Sequence, residues 1–373
     1  MDFNFTDEQQ LLRNGLTKFL ATRYDLDTSR SAAKTGPGWQ PDIWRAFAED
    51  LGILGATLPE AVGGLGGGPA EVMVIAEALG YALVIEPYID TVVVAGGLLH
   101  RADSDVADAV LAQIAEGTAV VALAVAEPDA GDNLAALTTT AERAGTGWTL
   151  TGTKIVVLNA PLATHLLIAA TTPEGLSLFL TEFDAANPPV GVEVHSYRTI
   201  DDRRAADLIF DSLSLPADTL LGEAEASLHR ARDEGAAAVV SEAVGGMRKV
   251  LADTVEYSKQ RQQFGQSIGS FQALQHRMVD MYMELEQAVA AAYLAVLNLD
   301  AEPEVRSRAV SAAKATAGRA ARFIGQNAVQ LHGGMGMTEE LAIGHYFKRL
   351  TAIEYEFGST SAHLSRYAEL TKP

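Results

Sequence analysis

The sequence predicts a mainly helical α+β protein in three parts. These are an N-terminal helical domain (residues 1–118), a middle antiparallel β-barrel or sandwich domain (119–222) and a C-terminal helical bundle (223–373). Apolar residues recur at helical spacing before about Thr118 and again after about Glu223. Between them, short β-branched runs are separated by Gly-, Pro- and Asn-rich turns, the pattern of a compact all-β domain. The composition, 48% hydrophobic and 20% charged, is that of a globular chain, and 373 residues suffice for a large core.

Each element follows from local signals. Thr6, followed by Asp7, Glu8 and Gln9, reads as an N-cap leading into Leu11, Leu12, Leu16 and Phe19. Pro41-Asp42 opens a second helix through Trp44, Phe47 and Leu51. The run GGLGGG at 63–68 follows Pro59-Glu60 rather than a strand, so it reads as a loop and not as a phosphate-binding turn. Strands are expected at 119–126, 137–143, 147–158, 164–171 and 176–183, with two more near 191–198 and 206–215. Beyond Leu220-Leu221-Gly222, the residues Phe271, Leu274, Met278, Met281, Leu285 and Val289 mark one face of a long helix. The methionines at 278, 281 and 283 read as core filler rather than ligands.

Composition excludes several classes of function. The chain has no cysteine, so disulfides, thiolate metal sites and cysteine nucleophiles are absent; no metal site is expected. A net charge of −20 disfavours nucleic acid and acidic membranes as partners. The start is acidic and polar, and charge or glycine interrupts every apolar run before the ~18 residues of a membrane helix. A cytoplasmic protein is the expectation.

Two glycine-bearing polar segments interrupt helical stretches: RQQFGQSIGSFQ at 261–272 and QLHGGMGMTEE at 330–340. Arginine can clamp a phosphate through two nitrogens, and glycine lets backbone N–H groups approach an anion. Each segment alone reads as a helix end with a solvated turn; their pairing after a β domain points to more.

With FTDEQQLLR at 5–13, LGILGATLPEAVGGLG at 51–66, AEPDAGDNLAALTTTAER at 126–143 and GWTLTGTKIVVLNAP at 147–161, the chain resembles the acyl-CoA dehydrogenase family over almost its whole length. YSKQRQQFGQSIGSFQALQHRMVDM at 257–281 and QLHGGMGMTEE are the most specific matches. The resemblance implies a C-terminal four-helix bundle, FAD, an acyl-CoA substrate, an electron-transfer flavoprotein or similar acceptor, and a tetramer. In that family a carboxylate removes the proton α to the thioester while the β-hydrogen leaves as hydride to the flavin. By the same resemblance Arg261, Gln263, Phe264, Gln272, Gln330, Gly333, Gly334 and Thr360 are cofactor-binding residues, mostly reaching the FAD of a neighbouring subunit.

The departures are as informative. Ala126 and Leu158 stand where relatives have threonines that bond the flavin ring, and neither side chain can do so. The usual catalytic glutamate position holds Gly358, and the known alternative position falls on Gly235. Glu242 lies seven residues on, two turns along the same helix face, among Val239, Val240 and Val244. Desolvation there would raise its pKa and suit a general base, so Glu242 is the expected catalytic residue, with Glu234 and Glu356 as alternatives. His363 reads as structural. Replacement of the usual glutamate by Gly358 resembles a branch whose unlike subunits pair as α2β2 and whose substrates are often steroid side-chain or pimeloyl-type thioesters. A non-catalytic scaffold subunit completing a partner's FAD site is the competing expectation; an oxygen-using flavin monooxygenase relative is a third.

Overall fold

The computed structural model describes residues 5–131 and 133–372; Asp132, inside the 126–143 motif, lies outside them. In chain order the helices and strands begin with α1 (Asp7–Arg23), α2 (Leu26–Thr35), α3 (Pro41–Glu49) and α4 (Pro69–Ala82). A π-helix (Ile89–Ala95), α5 (Gly96–Ala102) and α6 (Asp105–Ala115) follow. Strands β1 (Val121–Ala124), β2 (Thr140–Ala144), β3 (Gly147–Leu158) and β4 (His165–Thr172) come next. Then come β5 (Gly175–Glu182), β6 (Val192–Arg198), β7 (Arg204–Leu215) and β8 (Leu220–Glu223). The chain closes with α7 (Glu225–Gln260), the short β9 (Gln262–Gln263) and β10 (Gln266–Ser267), α8 (Gln272–Val296), α9 (Pro303–His332), α10 (Ala342–Tyr355) and α11 (Thr360–Leu370).

Two compact units emerge. The first comprises residues 1–28, 69–84 and 236–373. Thr6 caps α1 as its sequence dictates: its hydroxyl accepts from Gln9 N–H while the Gln9 side chain accepts from Thr6 N–H. Leu16, Phe19 and Leu20 form the buried stripe, whereas Leu11 is 70% exposed because it falls outside that arc of the helix. On α8, Met281 and Leu285 are buried among alanines. Met283, expected in the core, faces solvent beside Val279 and Tyr282, since two residues from Met281 is about half a turn around. Small residues let the helices approach closely: Ala236, Ala237, Ala291, Ala295 and Ala313 pack with Leu299 and Val310.

The second unit comprises residues 29–68 and 85–235 and holds the sheet. Strand order is β6-β7-β3-β2-β4-β5-β8, with β1 paired to β4. The expected strands are present, but closure and purely antiparallel pairing are not. The sheet is open, and β1 runs parallel to β4, in register Val121–His165 to Ala124–Ile168. Strand spacing reports the hairpins; it does not report that β1 joins its neighbour only after the β2–β3 hairpin has been inserted. The edge strand β6 carries Glu193 and Arg198, charged groups that discourage pairing with another chain. Leu220–Glu223, expected only to end the domain, forms the opposite edge. Its core holds Trp148, Leu150, Phe179 and Phe210, Trp148 meeting Phe179 edge-on. The π-helix is tied to β1 because the Thr91 hydroxyl both donates to the Val121 carbonyl and accepts from its N–H, each at 3.3 Å.

Candidate functional site

The segment after α7 folds as a two-residue hairpin. Gln266 pairs with Gln263, and the intervening Phe264 and Gly265 have φ of 55° and 79°, the left-handed pair that a tight hairpin turn requires. Phe264 adopts that conformation without being glycine, and its ring is 91% exposed, touching Phe271 edge-on. Ser267 Oγ donating to the Ser258 carbonyl at 2.9 Å, and Ile268 N–H donating to the Arg261 carbonyl at 2.9 Å, lock the turn. Arg261 and Gln263 are exposed. Among the described residues the Arg261 guanidinium has no hydrogen-bond or ion-pair partner in the chain. Gln272, first residue of α8, is exposed as well.

The end of α9 is brought to the same place. The Tyr257 and His332 rings stack at 4.3 Å, and Tyr257 Oη donates to the His332 carbonyl at 3.4 Å. Gln330, Gly333 and Gly334 are exposed, and Gly333 ends the helix at φ 60°. At both glycines the direction a Cβ would take is open. A free guanidinium, amides and bare glycine backbone make a donor set suited to a diphosphate. Thr360 lies instead at the start of α11, its hydroxyl 3.4 Å from Glu354 Oε1.

Glu242 is desolvated, at 3% exposed, but it is not isolated. Its two carboxylate oxygens accept from Arg349 Nε and Nη2, each at 2.7 Å. The other side of the same guanidinium engages Glu356, with Nη2 at 3.0 Å from its Oε2. Around Gly358 the groups are structural. Buried Lys314 donates to the carbonyls of Glu354 and Gly358 at 3.1 and 2.9 Å. His363, fully buried, bridges Ser311 Oγ and the Phe357 carbonyl at 3.2 and 2.9 Å. Glu234 joins the arginines Arg101 and Arg230 at 3.0 and 2.8 Å.

In the β unit, Ala126 follows β1 with its carbonyl accepting from Ile155 N–H, and Leu158 ends β3. Asn159 has φ 61° and gives its side-chain amide to Asp90 at 2.6 Å. Beneath these loops lies a buried pair, Glu127 and Lys154, 2.6 Å apart. Glu127 also accepts from Thr138 N–H, Thr138 Oγ1 and Thr139 N–H. Burial pushes its pKa up, but Lys154 and these donors outweigh it and hold the carboxyl at about 2. Burial also lowers the Lys154 pKa, against the pull of Glu127. Sequence reasoning missed this pair, although both residues lie inside the motifs AEPDAG and GTKIVV.

Three family models match the chain: acyl-CoA dehydrogenase N-terminal domain at 6–118, middle domain at 122–213 and C-terminal domain at 227–370. The chain belongs to the acyl-CoA dehydrogenase family. It is 30% identical to acyl-CoA dehydrogenase IpdE2 of Mycolicibacterium smegmatis, with 92% of each chain covered. Among solved structures it is similar to a variant of the Tcur3481–Tcur3483 steroid ACAD, at 29% identity, TM-score 0.88 and coverage of 98% and 97%. It is also similar to the ChsE4–ChsE5 complex from Mycobacterium tuberculosis, at 25% identity, TM-score 0.90 and full coverage of both.

Acyl-CoA dehydrogenases are FAD-dependent oxidoreductases acting on CH–CH bonds. The unpartnered Arg261, the exposed amides of Gln263 and Gln330 and the open Cβ directions of Gly333 and Gly334 fit the diphosphate of that cofactor. No helix among the described residues is long and apolar enough to cross a membrane, and no group of metal-binding side chains occurs among them.

Proposed function

We propose that the chain is one subunit of a cytoplasmic, FAD-dependent acyl-CoA dehydrogenase. It introduces an α,β double bond into a bulky or dicarboxylic acyl-CoA thioester, in a tetramer with a homologous subunit. An electron-transfer flavoprotein or similar acceptor takes the electrons. The observation that carries the reading is the outward hairpin, in which Arg261 offers an unpartnered guanidinium beside Phe264. Likeness to a two-protein steroid enzyme and to the ChsE4–ChsE5 complex supports unlike subunits and a steroid-type thioester.

When bound, FAD supplies a two-electron acceptor that no side chain provides. The chain's own residues do the holding: Arg261 neutralises phosphate charge, Gln263, Gln272 and Gln330 present amides, and Gly333 and Gly334 admit the dinucleotide backbone to close range. Thr360 contributes a hydroxyl from the start of α11. Glu242 is the carboxylate that takes the α-proton on one of its oxygens, parting from Arg349 to do so, while Arg349 remains on Glu356.

A second reading has its own observation. Both oxygens of Glu242 are occupied by Arg349, and glycines hold the two positions where relatives carry the base, which favours a subunit that completes a partner's FAD site without a base of its own. The test is to purify the chain alone and co-expressed with homologous subunits, and to measure visible flavin absorbance and mass. Arg261→Ala should lower flavin retention about 10- to 100-fold, since a charge-assisted bond is lost. Full flavin occupancy in that variant would sink the assignment of the hairpin.

A further inference from the structure

A cleft of about 640 Å3 opens within the helical unit, lined by α1, α4, the middle of α7 and the start of α10. It uses none of the residues assigned to the cofactor, and its volume lies within the range of small-molecule pockets, roughly 300–1,000 Å3. Its walls are mostly apolar, with Leu20, Ala21, Val74 and Ala78 among them. One wall is pinned by Tyr346 Oη donating to the Tyr81 carbonyl at 2.5 Å. The cleft is thus preformed by rigid helices rather than by loops.

Its lining also carries cations. Arg13 Nη2 and Arg248 Nε converge on a single oxygen of Glu77, at 3.4 and 2.9 Å. Lys249, next along α7, pairs with Asp253. Two guanidiniums against one carboxylate leave positive charge in surplus, in a chain whose net charge is −20. Local cationic charge beside an apolar floor is complementary to a molecule with an anionic head and a hydrocarbon tail.

We propose that this cleft binds a fatty-acid-like carboxylate, its tail along α1 and α4 and its head on the Arg13–Arg248 pair. The inference stands independently of the dehydrogenase reading. The full-length chain, in its purified assembly, is titrated with laurate by calorimetry, alongside shorter acids and the uncharged dodecanol. Saturable binding of one laurate per chain is expected, tightening about 2- to 4-fold per added methylene. Dodecanol should bind at least ~10-fold more weakly, since it lacks the charge that the guanidiniums recognise. Thr17→Trp, at an exposed position on the rim, and Ala78→Trp, on the wall, should each weaken laurate at least ~10-fold while leaving flavin content unchanged.

The proposal fails if laurate does not saturate, if both tryptophan variants bind it as the parent does, or if dodecanol matches it. It fails equally if laurate is ignored and Thr17→Trp alters the mass of the assembly, because the cleft is then a subunit contact.

Discussion

Glu242 and Arg349 meet through two oxygens of one and two nitrogens of the other, both contacts at 2.7 Å, in a site from which water is nearly excluded. The fork geometry is the strongest that a carboxylate and a guanidinium can form. It fastens α7 to α10, and Glu356 extends the clamp to the segment after α10. Arg349→Ala removes both of these bonds from a buried carboxylate and should cost about 3–5 kcal/mol, read as a lowered denaturation midpoint. Glu242→Gln keeps the shape and separates the two functional readings. As the base, its loss should reduce turnover of the assembled enzyme about 10²- to 10⁴-fold; turnover equal to the parent's would remove Glu242 from the mechanism.

A neighbouring crossing, of α4 with α7, rests on missing side chains. A Cβ on Gly80 would fall 1.9 Å from the Glu242 carbonyl oxygen, and one on Gly245 would fall 1.9 Å from the Glu77 carbonyl oxygen. Each helix therefore presses a glycine against the other's backbone. Alanine favours helix by about 1 kcal/mol, yet Gly80→Ala and Gly245→Ala should each destabilise by about 1–3 kcal/mol, because backbone cannot yield. Thermal melts of both single variants and the double variant check this. The double should be less than additive, since either change alone already parts the helices.

Acid stability has an assignable source. The folded-state pKa of Glu127, about 2, lies below the ordinary value of 4.5, so its contribution is fully present above about pH 4.5 and fades as pH falls towards 2. Glu127→Gln removes that dependence and leaves Lys154 buried without its anion. The variant should be less stable by about 3–5 kcal/mol at neutral pH, and its melting temperature should fall less steeply between pH 4.5 and 2 than the parent's.

Restoring a carboxylate at the family's usual place should not restore a base. Gly358 has φ 107°, a conformation that favours glycine, and its carbonyl is held by Lys314. Gly358→Glu should destabilise by about 1–3 kcal/mol through backbone strain, with no gain in turnover; a more active variant of parental stability would refute the strain argument.

Much of this was legible in the sequence because local signals coincide with local structure. The Thr6–Gln9 cap, Pro41 at the first turn of α3 and the β-branched strands need no distant partner to be recognised. The break at 261–267 was visible for the same reason, as a polar, glycine-bearing interruption of a helical period, although its folding as a hairpin was not. What escaped depends on residues far apart in the chain. Arg349 and Glu242 are separated by 107 positions, and nothing in the spacing of an apolar helix announces that its arginine will meet a carboxylate on another. Burial of Glu242 could be read from its valines; the cation opposite could not. The open, mixed sheet was hidden likewise, because turn spacing records which strands follow one another and not which ones close or fail to close a ring.

Phe264 carries a consequence for how the protein is made. A phenyl ring held out in water by a left-handed turn forgoes about 1.5–3 kcal/mol that burial would return. In the tetramer proposed above, copies lacking a partner subunit would expose that adhesive tip from the outset, so yield and solubility should rise on co-expression with a homologous subunit.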